Sequence, residues 1–213
     1  MDVEPDDPER AGQARISRGV TTPRQAASVI LLREDEAGLE VLLVKRNPAQ
    51  RFMGGAWVFP GGAVDRADEA DDGPHRATAV RELEEEADVH GVEAGTLVAY
   101  SRWITPAEVK IRFDTRFFLA MAPPGAQPRP DGAETVDARW HAPPDALAAH
   151  HRGELMLVFP TIKHLEQLAG FASAEELLAH ARGREVVPVQ PRVVVSGETA
   201  RIVLPADAEP RVE

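Results

Sequence analysis

The chain has 213 residues, no cysteine and a formal net charge of −11. The absence of cysteine excludes disulfide frameworks, thiolate metal sites and cysteine nucleophiles. An excess of 35 acids over 24 bases argues against a nucleic-acid polymer or an anionic membrane as partner, since both require a basic face.

The opening MDVEPDDPER is acidic and has no apolar run, so neither a secretory nor a transit segment is expected. No apolar stretch reaches the roughly 20 residues of a spanning helix, and the ending RVE is not a retention or peroxisomal signal. These features predict a cytoplasmic protein, with 1–20 and 208–213 as mobile tails and 21–207 as one domain.

Ala26–Leu32 and Leu39–Val44 are expected as buried strands around a turn near Asp35–Gly38. A glycine-rich stretch, RFMGGAWVFPGG (Arg51–Gly62), precedes a helix from His75 to about Val89. Strands follow at Leu97–Trp103, Ile111–Met121 and Thr135–Trp140, and helices at Pro144–His151, Thr161–Leu168 and Ala174–Ala181. The last helix carries a capping box, Ser173 with Glu176, and Gly183 past its end. Val186–Val195 and Ala200–Leu204 read as a closing pair of strands about Ser196–Gly197. Interleaved strands and helices put the chain in the α/β or α+β class.

The helix reading RELEEEADV (Arg81–Val89) is acidic at five of the seven positions from Glu82 to Asp88. At about 100° per residue, Glu82, Glu85 and Glu86 share an arc of about 100°, while Glu84 points across the helix. Ala79, Val80, Leu83 and Ala87 form a separate apolar stripe facing a core. Like charges three and four residues apart repel, and acids in a last turn oppose the helix dipole. A divalent cation relieves both penalties, and carboxylate oxygens suit Mg²⁺ or Mn²⁺. Arg81 stands four residues before Glu85, placed to orient that carboxylate. A solvated acidic face is the plainer reading of such a run taken alone.

Upstream, Val58-Phe59-Pro60-Gly61-Gly62 ends an apolar strand, and its paired glycines allow close backbone approach to a ligand or ion. The glycines followed by Arg81-Glu82-Leu83 and Glu85-Glu86 resemble the signature of the Nudix hydrolases, G-x5-E-x7-R-E-U-x-E-E-x-G-U with U aliphatic. Gly62 matches the first glycine and Val89 the last aliphatic position. There are two departures. Gly62 and Arg81 are five residues further apart than the pattern has them, which leaves Asp65, Asp68 and Glu69 as candidates for the first acid. Asp88 replaces the glycine at the helix end.

Further upstream, Arg51, Gly55 and Phe59-Pro60-Gly61-Gly62 are similar to the R-x3-G-x3-F-P-G-G half of a coenzyme A diphosphatase motif. Leu42-Leu43 keep that motif's spacing, whereas Val44, Arg46 and Asn47 stand where it has threonine, threonine and a small residue, so half of the motif is present and half is not. Trp103-Ile104-Thr105-Pro106 and Arg112–Phe118 add to the resemblance to an acyl-CoA diphosphatase branch, over about residues 25–183.

The resemblance implies an α/β/α sandwich with a mixed central sheet and extra C-terminal helices over about 144–183. Those helices are candidates for a lid or a dimer surface. It implies hydrolysis of a nucleoside diphosphate linked to another group, coenzyme A or acyl-CoA first among them. Mg²⁺ or Mn²⁺ would be held by Glu82, Glu85, Glu86 and Gly62. Glu85, Glu134 and Asp137 are candidates for the base, and Arg81 for an orienting role. Arg51, Arg46 and Lys45, with Gly61 and Gly62, are candidates for substrate binding. Trp103 and Trp57 could stack on adenine, although core packing suits Trp57 better. Alternatives keep the chemistry on ADP-ribose, dinucleotides or oxidised nucleoside triphosphates, or make the protein a non-catalytic nucleotide-binding regulator. The intact carboxylates disfavour the regulator. Monomer and homodimer both remain open.

Overall fold

Strand β1 (Arg24–Asp35) is buried from Ala26 to Leu32 without a break. Its sequence is a continuous apolar run because helices cover both faces of the sheet it centres. In the computed structural model, residues 21–36, 38–65, 67–68, 73–196 and 199–205 are described. The two expected tails, Glu69 and Gly197 lie outside them.

The remaining elements are β2 (Gly38–Arg46), β3 (Trp57–Val58), β4 (Gly61–Ala63), α1 (Pro74–Ala87), β5 (Val98–Ile104), β6 (Phe113–Met121) and β7 (Thr135–His141). Then come α2 (Pro143–His151), α3 (Phe159–Leu168), α4 (Ala174–Arg182), β8 (Pro188–Val189), β9 (Arg192–Ser196) and β10 (Thr199–Val203). The main sheet runs β3-β2-β1-β6-β5-β8, with β4 added to β1 and β7 to β2. It is mixed: β1 with β6 and β5 with β8 are parallel, and the other pairs are antiparallel. One edge of β1 changes partner along its length. Ala26–Ser28 pair with β4, whereas Leu32–Asp35 pair with β2.

Strand alternation sorts the core into two layers. Ala27, Val29 and Leu31 pack with Ala79, Leu83 and Ala87 of α1. Ile30 and Leu32 pack with Ala146, Leu165, Leu168 and Leu177 of α2–α4. The result is the expected α/β/α arrangement. Helices α2–α4 form its second layer and bury their apolar faces in the core.

Several boundaries differ from expectation. Helix α1 ends at Ala87, where Asp88 adopts the left-handed conformation (φ 52°) and its N–H donates to the Glu84 carbonyl at 3.0 Å. Aspartate is among the few residues to tolerate that region, so it serves where the resembled pattern has glycine. Gly183 caps α4 in the right-handed region (φ −88°), so its glycine freedom is unused there. The run Val186–Val195 is split into β8 and β9, with Pro191 between them lacking the N–H a continuous ladder needs. Strands β9 and β10 form a separate two-stranded sheet. Among the described residues, no helix is long and apolar enough to cross a membrane.

Candidate active site

The two glycines of β4 bring the α1 layer to the sheet edge. Gly61 pairs with Ser28 and Gly62 with Ala27. A methyl group on Gly62 would overlap the Glu82 carboxylate, with Cδ only 2.5 Å away. A methyl on Gly61 would instead meet β1 backbone, the Ala27 carbonyl at 2.5 Å and Ser28 Cα at 2.7 Å. The Gly61 N–H donates to Glu86 Oε2 at 2.9 Å. Helix α1 therefore presents Glu82 and Glu86 against a strand stripped of side chains.

Arg81 ties the helix carboxylates to the loop that precedes the helix. Its Nε and Nη2 donate to the two oxygens of Asp68 at 2.8 and 3.0 Å. Its Nη1 donates at 2.8 Å to both Glu82 Oε1 and Glu85 Oε2. Asp68 is buried and also accepts from the Asp65 N–H and the Thr78 hydroxyl, each at 2.7 Å. Of the candidates for the first acid, Asp68 is thus the partner of Arg81. The signal was in the sequence: Asp68 keeps the G-x5 spacing from Gly62, which puts the five extra residues between Asp68 and Arg81.

Electrostatics separate these carboxylates. The Arg81 hydrogen bonds hold Asp68 well below the usual range, and Asp68 in turn raises Arg81. Burial pushes Glu86 up to about 8, with Glu82 and Glu134 adding like charge and the Gly61 N–H opposing. Burial also raises Glu82, against the pull of Arg81. Glu85 is exposed beside them.

Glu82 and Glu86 line a groove of about 350 Å³, together with Gly61, Gly62, Arg46 and Glu134. Glu134 is fixed through its backbone. Its N–H donates to Asp131, its carbonyl accepts from the Asn47 N–H at 2.8 Å, and the Thr135 hydroxyl lies 2.7 Å from the Glu86 carbonyl. The sequence reading gave Asn47, Asp131 and Thr135 no role at the site, and the Asp131-Gly132 turn was the one hint.

Other candidates lie elsewhere. Asp137 is paired with Arg139 at 2.5 Å, outside the groove lining. Arg46 reaches the groove and bonds Gln50, whereas Arg51 and Lys45 are not among its lining residues. Trp57 is buried in the core as favoured. Trp103 is buried too, packed edge-on against Phe159 and His164, which corrects its assignment to adenine stacking.

The donor set suits a hard divalent cation: carboxylate oxygens on one helix face, a side-chain-free strand against them, and buried acids with raised proton affinity. The three carboxylates do not converge on one point, because Arg81 lies between Glu82 and Glu85 while Glu86 turns to Gly61. Among the described residues no group of three acids or histidines is arranged to hold an ion.

The family model for the NUDIX domain matches residues 22–158. The chain is 27% identical over 190 residues to nudix hydrolase 7 of Caenorhabditis elegans, covering 72% of this chain and 63% of that protein. It is 30% identical over 113 residues to the human acyl-coenzyme A diphosphatase NUDT19, covering 51% of this chain and 30% of the human one. The chain thus spans less than two thirds of the length of either relative. A solved NUDIX hydrolase from Alicyclobacillus acidocaldarius superposes with a TM-score of 0.67 at 30% identity, covering 76% of this chain and 97% of that one.

Proposed function

The chain belongs to the Nudix family, and on that premise we propose that it hydrolyses the pyrophosphate bond of a nucleoside diphosphate derivative, with coenzyme A or acyl-CoA as the substrate. The observation that carries the reading is the seating of Glu82 and Glu86 against Gly61 and Gly62 in one groove with Glu134.

A pyrophosphate is polyanionic, so a site built of carboxylates requires a cation to receive it. Glu82, Glu85, Glu86 and the Gly62 carbonyl would hold Mg²⁺ or Mn²⁺, which offsets substrate charge and lowers the pKa of water when bound. Arg81, anchored on Asp68, sets the positions of Glu82 and Glu85 and limits their mutual repulsion. Arg46 offers a guanidinium to a phosphate oxygen. Glu134 takes a proton from the attacking water as the water oxygen bonds to phosphorus. The P–O bond of the bridging oxygen breaks, and coenzyme A would yield adenosine 3′,5′-bisphosphate and phosphopantetheine. The R-x3-G-x3-F-P-G-G run and the similarity to a protein named acyl-coenzyme A diphosphatase support this substrate over ADP-ribose or a dinucleotide.

The test is a product assay with Mg²⁺ on coenzyme A, an acyl-CoA, NADH, ADP-ribose and 8-oxo-dGTP, using wild type and Glu85→Gln. Cleavage of the CoA compounds that falls in the variant is expected. Preference for ADP-ribose would keep the chemistry and discard the substrate. No turnover of any compound, with both proteins alike, would sink the enzyme reading in favour of a nucleotide-binding regulator.

A further inference from the structure

The groove extends beyond the carboxylates, along the sheet face formed by the first halves of β1 and β6. In their parallel register Ser28 stands beside Phe117, Ala26 beside Thr115, and Arg24 beside Phe113. All of these residues line the groove. Ser28 is the residue paired with Gly61. At the rise of a strand, Arg24 lies about 13 Å further along.

The chemistry changes over that distance. At the far end the Arg24 guanidinium lies 6.0 Å from the centre of the Phe113 ring. Phe52, from the glycine-rich loop, brings a second ring to 6.0 Å from Phe113, inclined at 49°. Arg24 is exposed, and among the described residues no carboxylate lies within ion-pair distance of it and its side chain makes no hydrogen bond. Its neighbours differ. Arg102 is paired with Asp114 at 2.7 Å, and Arg112 donates to the Thr21 and Thr105 carbonyls. Arg24 thus brings a guanidinium without a carboxylate partner among the described residues to the far end of the groove, in a chain of net charge −11.

We propose that Arg24 and Phe113 form the seat of the substrate's nucleoside, the base lying on the Phe113 ring and the Arg24 guanidinium taking a phosphate carried by the ribose. The proposal rests on the diphosphatase reading above and narrows it to ribose-phosphorylated nucleotides. An aromatic face accepts any base by stacking. A guanidinium is planar, permanently charged and able to grip a phosphate with two N–H groups. An apolar acyl chain at this end would leave the cation without a partner. The substrate then runs from the nucleoside at Arg24 to the pyrophosphate at Gly61 and Gly62.

Calorimetric titration with two nucleotides, adenosine 3′,5′-bisphosphate and adenosine 5′-monophosphate, tests the seat without requiring turnover. Wild type, Arg24→Gln, Arg24→Lys and Phe113→Leu are compared at one salt concentration. Wild type is expected to prefer the bisphosphate by about tenfold or more, the scale of one charge-assisted contact. Arg24→Gln should lose that preference with monophosphate affinity unchanged, and Arg24→Lys should retain part of it. Phe113→Leu should weaken both nucleotides alike. An unchanged preference in Arg24→Gln, or no preference in wild type, overturns the seat. Because the titration reads binding, coenzyme A cleavage with an unchanged Arg24→Gln preference removes the seat alone. A preference for ADP-ribose in the product assay, with the bisphosphate preference present in wild type and lost in Arg24→Gln, removes the substrate assignment and its narrowing and leaves the seat as a nucleotide-binding site.

Discussion

The Glu82 carboxylate occupies the space that a side chain on Gly62 would fill, while the corresponding space at Gly61 is taken by β1 backbone. The two adjacent glycines therefore have different jobs. In Gly62→Ala the obstacle is the end of a flexible side chain, so Glu82 swings away and the fold yields little. We expect kcat/KM to fall by about 100-fold, the scale of a misplacement of about 1 Å, with unfolding free energy nearly unchanged. In Gly61→Ala the obstacle is backbone, and a stability loss of about 1–3 kcal/mol is expected. Urea unfolding and steady-state kinetics on both variants check this. Full activity in Gly62→Ala would show that the glycine does not serve Glu82.

Asp68→Asn keeps shape but removes the charge that receives two Arg81 hydrogen bonds. We expect a loss of about 2 kcal/mol in stability, the range for charged hydrogen bonds at a partly exposed pair. A fall in kcat should accompany it, as Arg81 loosens its hold on Glu82 and Glu85. Asp68 has a depressed folded-state value, so its contribution is present above the ordinary carboxylate pKa and is lost as pH falls below it. The variant should therefore lack that part of the acid limb. Chemical denaturation at pH 7 and pH 3 would reveal it, and identical pH trends for the two proteins would count against the pairing.

Glu134 faces the groove and Asp137 is bound to Arg139. Glu134→Gln should lower kcat by about 100-fold or more, as loss of a general base does. Asp137→Asn should leave kcat within about twofold of wild type, since it removes an exposed ion pair of small worth. Reversed effects in the kinetics would move the base to Asp137.

His164 is fully buried among Phe59, Tyr100, Trp103 and Phe117, with Nε2 2.6 Å from the Ser101 hydroxyl. Burial pushes its pKa down to about 3 from 6.5. Between those values the unfolded chain binds a proton that the folded protein refuses, so stability falls as pH falls through that window. The slope is about 1.4 kcal/mol per pH unit. His164→Gln should be less stable than wild type at pH 7.5, and the gap should shrink by about 2 kcal/mol by pH 5. Denaturation midpoints across that range measure it, and parallel curves for the two proteins would refute the assignment.

Much of the site was legible because its core is local. The spacing of Arg81, Glu82, Glu85 and Glu86 is a helical repeat, so three carboxylates and their arginine meet on one face wherever that helix forms. The apolar stripe Ala79, Leu83 and Ala87 set which face turned inward, and the run from Ala26 to Leu32 announced a strand covered on both sides. Asp68 was half legible, since its distance from Gly62 is kept while its distance from Arg81 is not.

What the sequence by itself determined was the helix with its acids, the glycine pair and the family these residues resemble. Each depends on contacts a few residues apart, where the backbone period dictates which groups meet. The tertiary structure alone decided which cations and rings reach the groove. Arg46 enters while Arg51 does not, Trp103 goes to the core, and Arg24 stands beside Phe113 through a parallel pairing of distant strands. Such neighbours are fixed by strand order and register, and a shift of one residue would turn Arg24 to the opposite face.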